Sequence, residues 1–72
     1  MWIKTQWGRL VNADKFASIG VCYKDDGNFY VCGERTDGIE NLGEYQTQSK
    51  AESAKAYIFS CMEIKEHAVE MP

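Results

Sequence analysis

The sequence predicts an α+β fold: an antiparallel sheet of four to five strands followed by one C-terminal helix packed on one face. Three features lead there. Apolar and polar residues alternate through "FASIGVCYK", and a strand-like run resumes in "FYVCGER" after a "DDGN" turn. A second Asp-Gly turn, "TDG" at 36–38, introduces another such run, "IENLGEY". Beyond it the period becomes helical, with Ala54, Tyr57, Ile58, Cys61, Ile64 and Ala68 on one apolar stripe.

The elements follow in chain order. "WIKTQ" is rich in β-formers, and Trp7–Gly8 reads as a tight turn before "RLVN". "NADK" reads as a turn, because Asn12 and Asp14 can bond their own backbone. In the next strand Ile19, Val21 and Tyr23 point one way, and Ser18, Gly20, Cys22 and Lys24 the other. Gly27 supplies the positive φ of the following hairpin turn. A four-residue loop over 25–28 sets Lys24 opposite Phe29, whereas a three-residue loop over 25–27 sets it opposite Asn28. The two choices put Tyr30 and Cys32 on different faces relative to Ile19 and Val21, and the sequence leaves both open. Gly43 marks a bulge in the last strand. Ser49 and Glu52 make a capping box, from which a helix of about 18 residues runs some 27 Å.

Residues 1–72 form a single domain with no linker, repeat or low-complexity tract. So short a chain buries a small core, which favours self-association. The net charge is −3, and the eight Lys and Arg are scattered. Direct nucleic-acid binding is disfavoured, since phosphate recognition calls for a basic field; the acidity is also too sparse to argue for a DNA mimic. Three cysteines without a CxxC motif do not form a disulfide framework. With no apolar run of signal-peptide or membrane-spanning length, the expectation is a cytoplasmic protein with reduced thiols.

Catalytic equipment is sparse. His67, the only histidine, falls near the expected helix end, where the macrodipole favours a cation. Cys22, Cys32, Cys61 and His67 match no common zinc spacing, and a thiol nucleophile would have only His67 as its base. "DDG" and "TDG" read as turn chemistry rather than paired catalytic carboxylates. No phosphate-binding glycine loop or HExxH motif is present. "GNFYVCG" places aromatics in a strand, as RNA-recognition sheets do, but lacks interleaved basic residues. The expectation is a non-enzyme without cofactor or metal.

The aromatic residues point to binding. Trp2, Ile3, Trp7, Tyr23, Phe29 and Tyr30 occupy both strand registers, and one helix covers only one face of a sheet. Either both tryptophans are core, or at least one anchors a partner, as Trp and Tyr do at interfaces. Trp2, Trp7, Tyr30 and Tyr45 are the candidate partner-binding residues of a protein expected to be a homo-oligomer, with a dimer favoured. The alternative is a small-ligand binder, such as a sponge for a nucleotide signal, with its site at a subunit junction. Lys4, Arg9 and Arg35 are then the candidate phosphate-binding residues.

"MWIKTQWGRLVN", the later "LGEY" and the "SKAESA" lead into an apolar helix resemble a set of short proteins from Gram-positive bacteria and their phages and mobile elements. Those chains open M-W-I-[KR]-T-Q, continue L-[VI]-N and end with LG-x-Y-x-[ST]-x-x-x-A before a helix. The resemblance covers both ends and the middle loosely, and this chain departs from the pattern at Trp7, Cys22 and Cys32. It implies the sheet-then-helix order and a mobile-element origin, and it brings no catalytic residues. By analogy with small acidic proteins of that origin, it suggests an anti-CRISPR-like inhibitor of a host defence or nucleic-acid-handling protein.

Overall fold

The computed structural model describes residues 1–72. The chain is α+β, but the single sheet of four to five strands is corrected to two sheets of three strands each. Strands β1 (Trp2–Lys4) and β2 (Leu10–Asn12) form a short hairpin, followed by a 3-10 turn over Ala13–Lys15. Strands β3 (Ser18–Tyr23), β4 (Phe29–Arg35) and β5 (Gly38–Tyr45) form an antiparallel meander with β4 in the centre. Helix α1 (Gln48–Glu63) follows, and a sixth strand, β6 (Ala68–Glu70), returns to lie parallel to β1. The first sheet therefore has the order β2-β1-β6, and its third strand comes from the far end of the chain.

The first two hairpins share one loop geometry. Thr5 and Arg9 flank a three-residue loop, with the Gly8 N–H donating to the Thr5 carbonyl at 2.9 Å. Lys24 and Asn28 flank another, with the Gly27 N–H donating to the Lys24 carbonyl at 3.0 Å. Gly8 and Gly27 close these loops at φ 83° and 85°, the left-handed position that a type I turn leaves to glycine. Of the two registers left open by the sequence, the three-residue loop is the one adopted, and Tyr23 pairs with Phe29. Thr5 is buried at the first loop, where its hydroxyl accepts from the Arg9 N–H at 3.1 Å.

A bulge in β5 joins the two sheets. Val31 pairs with Gly43 but Cys32 with Asn41, so Leu42 is the extra residue, beside the glycine at which the bulge was expected. Its side chain is fully buried, and its carbonyl accepts from the Gln6 N–H at 3.0 Å. The Gln6 amide oxygen in turn accepts from the Glu44 N–H at 2.7 Å.

The helix begins two residues earlier than the capping box suggested. Thr47 is its N-cap, in extended geometry, and its hydroxyl accepts from the Lys50 N–H at 3.1 Å. Ser49 and Glu52 already lie inside the helix, where Glu52 pairs with Lys55 at 2.8 Å. The helix also ends earlier than its stripe implied. Lys65 adopts φ 59°, with the Glu66 N–H donating to the Cys61 carbonyl at 3.0 Å and the Lys65 N–H to Met62 at 3.1 Å. This is a Schellman termination with lysine where glycine is usual. Ala51, Ala54, Ile58 and Cys61 are buried, whereas Tyr57 and Ile64 are exposed and Ala68 belongs to β6.

One core serves both sheets. Ile3, Val11 and Val69 from the first meet Val31 and Leu42 from the second around Ala51, Ala54, Ile58 and Cys61 of the helix. At the edge of this core the Phe16 ring lies across Gly33, where a Cβ would stand 2.4 Å from its Cε2.

Candidate protein-binding surface

Period-2 alternation divides the first sheet cleanly. Ile3 and Val11 pair across β1 and β2 and face the core. Trp2, Lys4, Leu10 and Asn12 therefore face outward, joined across β6 by Ala68 and Glu70. Trp2 is 51% exposed and Leu10 is 65% exposed; Trp7, in the loop joining the same strands, is 56% exposed. One short hairpin thus holds both tryptophans and a leucine in solvent. Its backbone is tied down by the Thr5–Arg9 and Gln6–Leu42 bonds, so these side chains sit on a fixed platform.

The other two candidate anchors lie elsewhere. Tyr30 is on the face of the second sheet turned away from the helix and is only 9% exposed. Its hydroxyl donates to Asp26, and the Lys24 ammonium stands 4.4 Å from its ring centroid. Tyr45 is half-buried, with its hydroxyl donating to the Pro72 carbonyl at 2.9 Å. Trp2 and Trp7 share a hairpin, while Tyr30 and Tyr45 are occupied by contacts within the chain.

The alternative cationic set is split, two residues together and one apart, and partly neutralised. Arg9 and Arg35 converge on one carboxylate, Glu40, at 3.5 and 3.2 Å. Arg35 also pairs with Asp37 at 3.2 Å. Lys4 lies apart, between Leu10 and Glu70 on the outer face of the first sheet.

Sequence reasoning missed the polar cluster around Tyr30. The Lys24 ammonium donates to Asn41 Oδ1 at 2.9 Å, and the Cys32 thiol donates to the same oxygen at 3.4 Å. Asn28 donates to Glu44 from its side-chain amide and to Asp26 from its backbone at 2.9 Å. The Tyr30 hydrogen bond holds the Asp26 carboxyl below its usual value, and the same bond raises the Tyr30 phenol. Burial, with the neighbouring Cys22 thiol, pushes the Cys32 thiol up to about 12, so it stays protonated near neutral pH. The only signal for this cluster was the register, which sets Cys22, Tyr30 and Glu44 across neighbouring strands.

His67 is exposed, and its carbonyl accepts from the Trp2 N–H at 2.8 Å. No three of the His, Cys, Asp and Glu side chains gather where they could hold a metal ion. No helix is long and apolar enough to cross a membrane. No protein-family model matches the chain, and neither a curated protein nor a solved structure matches it.

Proposed function

We propose that this chain is a small non-catalytic protein-binding module that engages a protein partner through the β1–β2 hairpin. The observation that carries this reading is the exposure of Trp2, Trp7 and Leu10 together on one hydrogen-bonded hairpin. Trp is the side chain most enriched at interface hot spots, and a partner closing over these rings would remove a large apolar area from water. The protonated Cys32 thiol and the solvated His67 support a binding rather than a catalytic role. The three free thiols suit a reducing cytoplasm. The resemblance to mobile-element proteins of Gram-positive bacteria makes the partner a host defence or nucleic-acid-handling protein, which the module inhibits by occupying its surface. The module also associates with itself as a dimer.

The test is capture of a stoichiometric partner from a Gram-positive host lysate, followed by titration of that purified partner. Trp2→Ala and Trp7→Ala are each expected to weaken binding by about 30-fold or more, corresponding to a hot-spot loss of ~2 kcal/mol. Unchanged affinity in both variants would remove the hairpin as the binding surface.

A further inference from the structure

We infer that the free edge of β3, together with the apolar groove beside it, is a two-fold interface for a second copy of this chain. The inference rests on the self-association reading above and is independent of the tryptophan surface. In the β3–β4 ladder the Lys24 N–H donates to the Asn28 carbonyl at 3.1 Å, which marks a hydrogen-bonded pair. By alternation Cys22, Gly20 and Ser18 also face β4. Ile19, Val21 and Tyr23 therefore turn their N–H and C=O groups to the open edge, where no strand or loop pairs with them. No residue of β3 is buried, although β4 beside it is largely so.

Natural edge strands are usually guarded by a charge, a proline or a bulge. "SIGVCY" contains none of these, and its ladder with β4 is regular. The opposite edge of that sheet, β5, is bulged and capped by Gln6. The contrast singles out β3 as the edge built to be paired.

The strand is self-complementary in one antiparallel register. If Val21 pairs with Val21 of the second copy, Ile19 pairs with the second copy's Tyr23, and Tyr23 with its Ile19. All three outward residues of each strand are then satisfied, with two bonds at each of the three pairs. The side chains fit the same register. Tyr23 is 69% exposed and touches Phe29 at a 4.9 Å centroid distance, so most of its ring is left uncovered. Ile19, its counterpart, lines an apolar groove of about 580 Å³ with Phe16, Ile58, Phe59 and Met62. Phe59, on the helix wall of that groove, is 63% exposed. Each copy thus offers one projecting aromatic and one apolar cleft, placed so that a two-fold axis through Val21 brings the first toward the second. The product is a six-stranded sheet with a helix from each copy on the same side, the closed isologous arrangement that ends at a dimer.

The test is light scattering of the full chain over a hundredfold concentration range, with amide hydrogen exchange at both ends of it. The expected result is a mass rising from 8.2 kDa to twice that value. The amides of Ile19, Val21 and Tyr23 should gain protection at high concentration, while Gly20 and Cys22 are protected throughout. Tyr23→Asp changes an exposed side chain and should weaken the dimer by about tenfold or more. Val21→Pro removes an outward N–H at an edge strand and should abolish the dimer. A mass of 8.2 kDa at every concentration would overturn both the inference and the self-association reading. A dimer unaffected by Tyr23→Asp, with the three edge amides equally exchangeable at both concentrations, would overturn the inference alone.

Discussion

Placing Phe16 across Gly33 makes a quantitative prediction. A Cβ at position 33 would lie 2.4, 2.5 and 2.6 Å from Cε2, Cδ2 and Cζ of the ring. Real Cβ atoms do not approach so closely, so Gly33→Ala must displace the ring from the edge of the core. Overpacking of this kind costs about 1–3 kcal/mol. For a domain of this size a loss near 2 kcal/mol lowers Tm by roughly 8–16 °C. Urea unfolding followed by far-UV circular dichroism measures the loss directly. The mechanism is isolated by a double-mutant cycle with Phe16→Val, which removes all three clashing atoms. In that background Gly33→Ala should be neutral or stabilise by up to ~1 kcal/mol, since Ala suits a strand interior better than Gly. An equal loss in both backgrounds would refute the steric account. Because Phe16 also lines the groove beside β3, Gly33→Ala should weaken self-association as well.

Other outcomes follow from local geometry. Lys65→Gly relieves a left-handed residue at the helix end and should stabilise by about 1 kcal/mol, read as a higher urea midpoint with unchanged slope. Thr47→Ala should cost about 1 kcal/mol through loss of the N-cap, while Ser49→Ala stays within roughly 0.5 kcal/mol of wild type in the same assay. The Asp26 carboxyl is held low chiefly by the Tyr30 hydroxyl, so its contribution to stability is present above the ordinary value of 3.8 and is lost as pH falls through the lower folded value. Its carboxyl carbon, followed by NMR, should titrate below 3.8 and move toward that value in Tyr30→Phe. Tyr30 has the opposite sign: its phenol is raised, so its contribution is complete below the ordinary value of 10.0 and is lost at higher pH.

The parts of the fold legible in the sequence are those fixed by local chemistry. Gly8 and Gly27 announce their turns because few other residues accept a φ near 85°, and the stripe from Ala54 to Cys61 announces the helix. What was hidden depends on distant contacts. Ile64 and Ala68 continue the helical spacing, and lysine at position 65 gives no stop signal, so β6 is concealed inside an apparent helix. Its pairing with β1 spans only three residues at each strand and joins positions 66 apart, which no local pattern encodes. The division into two sheets follows from that pairing, because β1 takes β6 rather than a strand of the meander as its second neighbour.

The same distinction governs the candidate surface. Trp2 could be placed outward only once Ile3 was known to face the core, and both faces of "MWIK" carry a large apolar side chain. Tyr30 reads as an equally good anchor in sequence, yet Asp26, the middle residue of the preceding turn, reaches its hydroxyl and Lys24 reaches its ring. The apolar surplus that implied a partner is therefore real but redistributed. The outer face of the meander is covered largely by its own polar side chains, and much of the uncovered apolar area lies on the β1–β2 hairpin and along the β3 edge, with Ile39, Tyr57 and Ile64 exposed elsewhere. These surfaces differ in kind. The hairpin offers side chains with its backbone already satisfied, which suits a differently shaped partner. The β3 edge offers unpaired backbone, which is complementary to any extended strand and is matched in side chains by its own copy.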